Sequence, residues 1–198
     1  MSLIEEETAA IEQFLRFPEI RPPLEYHGGR AIQKMSPKLR HSILQGEFFL
    51  ELTNHARPSG LGGAFVELRC TFKGGSYVFD VSFFRAERLP DPQVLDERSD
   101  LTVAPDLAIE VLSPGQTVGE LRKKLRSAIR GGLRLGWLID PIHKQVLIPR
   151  PRRKAEILRP GDHLSGEDVL PGFSLSVDVI FGWLGGNRPS GSAGLGSG

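Results

Sequence analysis

Residues 104–114, APDLAIEVLSP, read as a short buried strand that carries two acids and ends in a Ser-Pro turn. Side chains alternate faces along a strand. Leu107, Ile109 and Val111 therefore point one way, and Asp106, Ala108, Glu110 and Leu112 point the other. A carboxylate in the middle of an apolar run is costly to bury unless it is paired or binds a cation. Glu110 is such a carboxylate, so the strand is expected to be central and its acid to have a partner.

Working outward from it, SPGQT leads into a helix over about 118–130, capped by Thr117 or Ser113 and ended by Gly131-Gly132. Val118, Leu121, Leu125, Ala128 and Ile129 form its apolar stripe. Lys124 lies at the stripe's edge, about 90° from its centre, whereas Lys123 points nearly opposite. LGWLIDP (135–141) is a nearly all-apolar central strand, and QVLIPR (145–150) is its hairpin neighbour.

Upstream, AFVELRCTF (64–72) and YVFDVSFF (77–84) flank Gly74-Gly75 and predict a hairpin with a two-residue turn. That register sets Arg69 opposite Asp80, with Glu67 one diagonal step away. It gathers Glu67, Arg69, Thr71, Val78, Asp80 and Ser82 on one face. On the residues alone, this face is either a solvated surface with a cross-strand ion pair or part of a site. Ser36-Pro37 predicts the start of a helix running to about residue 55, with Leu44, Phe48 and Leu52 as its stripe. Arg40, His41 and Glu51 fall near that stripe and Glu47 at its edge. LEYHGGRAIQKM (24–35) predicts a hairpin with Gly28-Gly29 at its tip, read as structural, and residues 4–16 a short amphipathic helix.

The order helix, strand, strand, strand, helix, strand, strand argues an α/β fold: a mixed central β-sheet flanked by helices, with an N-terminal hairpin and a C-terminal β/helical extension. One domain over 1–184 and a disordered Gly/Ser-rich tail over 185–198 are expected. Residues 85–103 form an acidic loop of the length that is functional or mobile in a compact domain.

Composition narrows the class. Hydrophobic content of 39%, charge of 25% and a formal net charge of +1 over 198 residues fit a globular protein with any basic surface local. Cys70 is alone, which excludes a disulfide framework or cysteine metal cluster and fits a reducing cytoplasm. No apolar run approaches the ~18 residues of a membrane span, and the acidic start lacks a signal-peptide pattern. There is no GxSxG, GxxxxGK[ST] or GxGxxG, so triad hydrolase, triphosphatase and nucleotide-cofactor readings have no support. What remains is Asp80 on one strand, Glu110 on the next core strand and Lys124 inward on the following helix. Two carboxylates on adjacent strands suit a hard cation such as magnesium. Such a cation polarises a phosphodiester and activates water. A nearby lysine can orient that water or neutralise developing charge.

The chain resembles the Uma-type restriction endonuclease family of the PD-(D/E)xK nuclease superfamily. The resemblance is carried by LEYHGGRAIQKMSPK, VELRCTFKGGSYVFDVSFFRAERLP, VAPDLAIEVLSP, GGLRLGWLIDP and LPGFSLSVDVIFGWL, over roughly residues 10–184. It implies a restriction-endonuclease-like fold and cleavage of DNA dependent on Mg2+ or Mn2+. It places Asp80 at the acid of a Pro-Asp-Val stretch, with Phe79 replacing the proline, and Glu110 at the acid of a Glu-Val-Leu-Ser stretch. The superfamily lysine two residues after that acid is Leu112 here. In this family the lysine is displaced to the next helix, eight residues before a glycine, as Lys124 stands to Gly132. His41 matches a family histidine, Asp106 a family acid at the strand entrance, and Glu47, Glu51 and Glu67 are additional acids near the site.

Three readings follow. The first is a magnesium-dependent DNA endonuclease acting as a homodimer, since two half-sites let one assembly cut both strands. Its DNA-facing cations are Arg122, Lys124, Arg126, Arg130, Arg134 and the 150–154 run. The second is a nucleic-acid-binding protein that keeps this fold without cleavage, favoured by the missing lysine beside Glu110. The third is a structural or interaction module with no divalent-metal binding.

Overall fold

The computed structural model describes residues 3–90 and 101–185 of the chain. Its helices are α1 (Leu3–Leu15), α2 (Leu39–Ala56), α3 (Val118–Gly131) and α4 (Val177–Gly182). Its strands are β1 (Leu24–His27), β2 (Arg30–Gln33), β3 (Gly62–Val66), β4 (Arg69–Phe72), β5 (Gly75–Val78), β6 (Val81–Arg85), β7 (Leu107–Val111), β8 (Leu135–Asp140), β9 (Gln145–Ile148), β10 (Glu156–Leu158), β11 (His163–Ser165) and β12 (Ser174–Ser176).

β7 is central, and all five of its residues are buried. It lies in a six-stranded sheet of order β10-β9-β8-β7-β6-β3, parallel to β8 and antiparallel to β6. The β7–α3–β8 connection is the crossover that a parallel pair requires. Alternation along β7 sorts its side chains as expected. Leu107, Ile109 and Val111 enter one core with Leu44, Phe48 and Leu52 of α2 and with Leu164, Phe173, Ile180 and Trp183 of the C-terminal extension. Phe48 meets Trp183 edge to face at 5.4 Å. Ala108 and Leu112 enter a second core with Leu121, Leu125 and Ala128 of α3. The mixed sheet is thus flanked by helices on both sides. Burying each large side chain contributes about 1.5–3 kcal/mol.

α3 approaches β8 closely because Gly136 has no Cβ: one placed there would lie 3.3 Å from Leu125 Cδ2. A capping box starts α3, with Thr117 and Glu120 each accepting from the other's backbone N–H. Gly132, at φ 120°, ends it.

Two sequence expectations fail in instructive ways. The long hairpin is not one ribbon. β4 and β5 pair with Arg69 opposite Val78 and Thr71 opposite Ser76, two residues out of the expected register. Its outer half is handed to a second, four-stranded sheet of order β2-β1-β5-β4, while β3 and β6 belong to the main sheet. The break falls at Glu67, which adopts φ 49°, opposite Asp80, whose carbonyl accepts from Glu67 N–H at 3.3 Å. Inward residues switch core at this break: Tyr77 and Phe79 lie with α3, whereas Val81 and Phe83 lie with α2. Arg69 consequently pairs with Glu19 at 3.1 Å, not with Asp80.

Secondly, α2 begins at Leu39, with Lys38 as N-cap and no side-chain cap, not at Ser36-Pro37. The preceding chain is tied down at Lys34, whose N–H donates to Pro23 O at 2.9 Å and whose ammonium donates to Asp80 at 2.6 Å. Lys38 is still extended, at φ −103° and ψ 166°.

The predicted tail falls outside the described residues apart from Gly185, and so does the 91–100 part of the acidic loop. No described helix is long and apolar enough to cross a membrane.

Candidate active site

Glu110 projects from mid-β7 toward α3, on the same side as Ala108 and Leu112. Lys124 meets it there: its Nζ lies 2.6 Å from Glu110 Oε1 and 2.6 Å from Glu25 Oε1 of β1. It also sits 5.2 Å from the Phe79 ring centroid. Lys123 is exposed. Glu25 Oε1 further accepts from Val78 N–H at 2.6 Å.

Asp80, in the break between β5 and β6, faces the same cluster. Its Oδ2 accepts from Val111 N–H at 2.7 Å, one residue past Glu110. Its Oδ1 takes Lys34 Nζ at 2.6 Å and lies 3.3 Å from His41 Nε2. His41 is fixed from its other side, with Nδ1 2.8 Å from Ser113 Oγ. Gln45 donates to the Asp80 carbonyl at 2.9 Å. The β5–β6 break, β7, the N-terminal hairpin and α3 thus bring three carboxylates and two ammoniums together, with His41 of α2 beside them, nearly out of solvent. Asp80 is 1% exposed, Glu110 2% and Lys124 3%.

The electrostatics are unevenly settled. Burial pushes the Asp80 carboxyl up, but Lys34, followed by His41, outweighs it and holds the group below its ordinary range. Burial pulls Lys34 down, and Asp80 more than restores it. Burial also works against the Lys124 charge, yet Glu110 and Glu25 raise it above a normal lysine. Glu110 moves upward, because burial and the nearby Asp80 charge exceed what Lys124 returns. Lys124 has Glu25 at the same 2.6 Å as Glu110, so two carboxylates hold its charge.

Glu110 Oε1 is buried, and its ammonium partner, Lys124 at 2.6 Å, is shared with Glu25 at the same distance. A carboxylate that holds only a share of one ammonium, beside a second acid, fits a divalent cation. No group of three or more His, Cys, Asp or Glu suited to a metal occurs among the described residues. The protein's share would be two carboxylates, which is the set magnesium accepts while keeping water.

The other predicted residues lie elsewhere. Asp106 is fully buried at the start of β7, about 13 Å along the strand from Glu110. It accepts from Arg85 N–H at 2.9 Å and from Arg88 and Arg134 at 3.0 Å. Arg134 is therefore held by acids, with Asp168 at 2.6 Å as its second. Glu51 is raised by burial and then by Glu47, so these two acids sit together further along α2. Glu67 is exposed at the hairpin break. Arg122 and Arg126 are exposed on α3 and line a groove of about 710 Å³ with Arg152, Arg153 and Lys154. Arg130 is exposed near the end of α3, while Arg150 pairs with Glu156 at 2.6 Å and Glu167 at 2.5 Å.

Glu25 and Lys34 are the residues that sequence reasoning missed. Glu25 left a faint signal, an acid between Leu24 and Tyr26 in a strand. Lys34 left none, because β2 before it is exposed throughout.

Mixed sheet, buried acids at a strand break and in mid-strand, and an inward lysine on the crossover helix together define a nuclease-fold α/β protein. The chain belongs to the Uma2 family, described as "Putative restriction endonuclease", whose model matches residues 11–178. A solved structure described as "a putative nuclease belonging to DUF820 from Anabaena variabilis ATCC 29413" is similar to it, at 34% identity and TM-score 0.79. The match covers 88% of this chain and 98% of that one. None of the curated proteins matches.

Proposed function

We propose that this protein is a divalent-metal-dependent DNA endonuclease that hydrolyses phosphodiester bonds. The observation that carries the reading is the convergence of Asp80 and Glu110, from separate elements, in a buried cluster where Glu110 shares its ammonium partner, Lys124, with Glu25. Asp80 and Glu110 would hold Mg2+ or Mn2+. When bound, the ion supplies Lewis-acid polarisation of the phosphoryl group and a water of lowered pKa. With Glu110 ionised, Glu25, Asp80 and Glu110 outnumber the ammoniums of Lys34 and Lys124, and a cation would offset the difference.

The chain's own groups do the rest. Lys124, positioned by Glu25, presents a permanent positive charge beside Glu110, suited to charge developing on the phosphate. Lys34 does the same beside Asp80. His41, oriented by Ser113 Oγ, is placed to hold a proton at Nε2. Arg122, Arg126 and the 152–154 cations supply phosphate contacts along the duplex. Two copies of the chain related by a two-fold axis would cut both strands.

A specific observation favours a second reading, a binding protein without cleavage: an ammonium lies 2.6 Å from each proposed metal-holding carboxylate. Supercoiled-plasmid nicking in Mg2+ and in EDTA separates the two. Cleavage should require the metal and fall about a hundredfold or more in Asp80→Asn and in Glu110→Gln. Wild-type rates in both variants would end the endonuclease assignment to this site.

A further inference from the structure

A second cavity opens where α2 starts, between the 112–114 turn and the 141–142 turn. It measures about 330 Å³, near the lower end of the roughly 300–1,000 Å³ typical of small-ligand sites. Leu112, Pro114, Pro141 and Ile142 give it apolar walls, Lys38 and Arg40 stand at its rim, and His41 is part of its lining. His41 is also the residue 3.3 Å from Asp80, so the cavity shares a wall with the charged cluster. Leu39 and Ile142 flank it at 77% and 64% exposed, higher than any other exposed large hydrophobic among the described residues. Neither contributes to either hydrophobic core. Lys38 and Arg40 are exposed and engaged by no acid among the described residues.

We propose that this cavity receives a single unstacked nucleobase of the strand being cut, next to the scissile phosphate. The inference deepens the nuclease reading and rests on it. Apolar walls accept the face of any base without reading its edge, and the two rim cations match the phosphates on either side of it. Exposed aliphatic side chains at such a mouth act as wedges between base steps. Removing a base from a duplex costs pairing and stacking, and a base already unpaired avoids that cost. The consequence is a preference for single-stranded or locally unpaired DNA over perfect duplex.

The test is binding, measured in EDTA so that cleavage plays no part. A short oligonucleotide carrying one 2-aminopurine is titrated with the full chain, once as a single strand and once fully paired. The single strand should bind about tenfold more tightly, with a change in 2-aminopurine fluorescence. In Leu39→Ser/Ile142→Ser that ratio should fall toward one, whereas Leu50→Ser, a half-exposed position elsewhere on α2, should keep it. Melting temperatures check that each variant is folded. Equal affinities in the wild type, or a ratio unchanged in the double variant, would overturn the proposal. So would a dimer that the double variant dissolves without change in the ratio, since the occupant would then be a second copy of the chain. A nuclease reading that fails on Asp80→Asn while the binding ratio survives would be recognised separately.

Discussion

Replacing Lys124 by methionine keeps the apolar stem but removes the ammonium, which lies 5.2 Å from the Phe79 ring centroid and donates to Val78 O at 3.4 Å. What is lost is the positive charge 2.6 Å from both Glu25 and Glu110. Breaking a buried ion pair by removing one partner costs about 3–5 kcal/mol. The lower end applies here, because Glu110 is already biased toward its neutral form and can take a proton. Glu25 also retains the Val78 N–H at 2.6 Å. For a chain of this size each kcal/mol moves the melting temperature by about 2–4 °C. Lys124→Met should therefore melt about 6–12 °C lower in EDTA, followed by circular dichroism. Lys123→Met, at an exposed position, should stay within about 0.5 kcal/mol of wild type. Adding Glu110→Gln to Lys124→Met should cost little more, because Glu110 has by then taken a proton. Equal melting shifts at 123 and 124 would refute the charge cluster.

Three further outcomes can be checked independently. Arg122→Ala and Arg126→Ala should each reduce the salt dependence of DNA binding by about one unit of slope, whereas Arg134→Ala should leave that slope alone and lower the melting temperature, since its charge is held by Asp106 and Asp168. Glu67→Gly should stabilise by up to about 1 kcal/mol in chemical denaturation, because a glycine adopts φ 49° without the cost of a side chain; a loss of plasmid nicking in that variant would return Glu67 to the site. Asp140 resists protonation in the fold: burial raises its carboxyl, but His143, Gln145 and the 142–143 backbone N–H groups outweigh that and lower it. Its contribution is therefore present above the unfolded value, about 3.9, and is lost as pH falls through the lower folded value. Asp140→Asn should flatten the acid limb of a stability-versus-pH curve, and an unchanged limb would count against these hydrogen bonds favouring the ionised carboxylate.

Local periodicity settled what depends on one element alone. Alternation along 104–114 was enough to put Glu110 and Asp106 on one face of β7, because a strand's side chains have a period of two wherever it lies. The helical repeat was likewise enough to turn Lys124 inward and Lys123 out, as the cluster and the exposed flank of α3 show. Which groups meet was beyond it. Lys34 reaches Asp80 across 46 residues of chain and Glu25 reaches Val78 across 53, through a four-stranded sheet that exists only once the hairpin has split at Glu67 and Asp80. Asp106 shares a face with Glu110 yet lies among arginines at the other end of the strand, and Arg134 is drawn to it. Periodicity assigns a side, whereas burial requires each charge to find its counter-charge, and only the assembled tertiary structure decides which one is within reach.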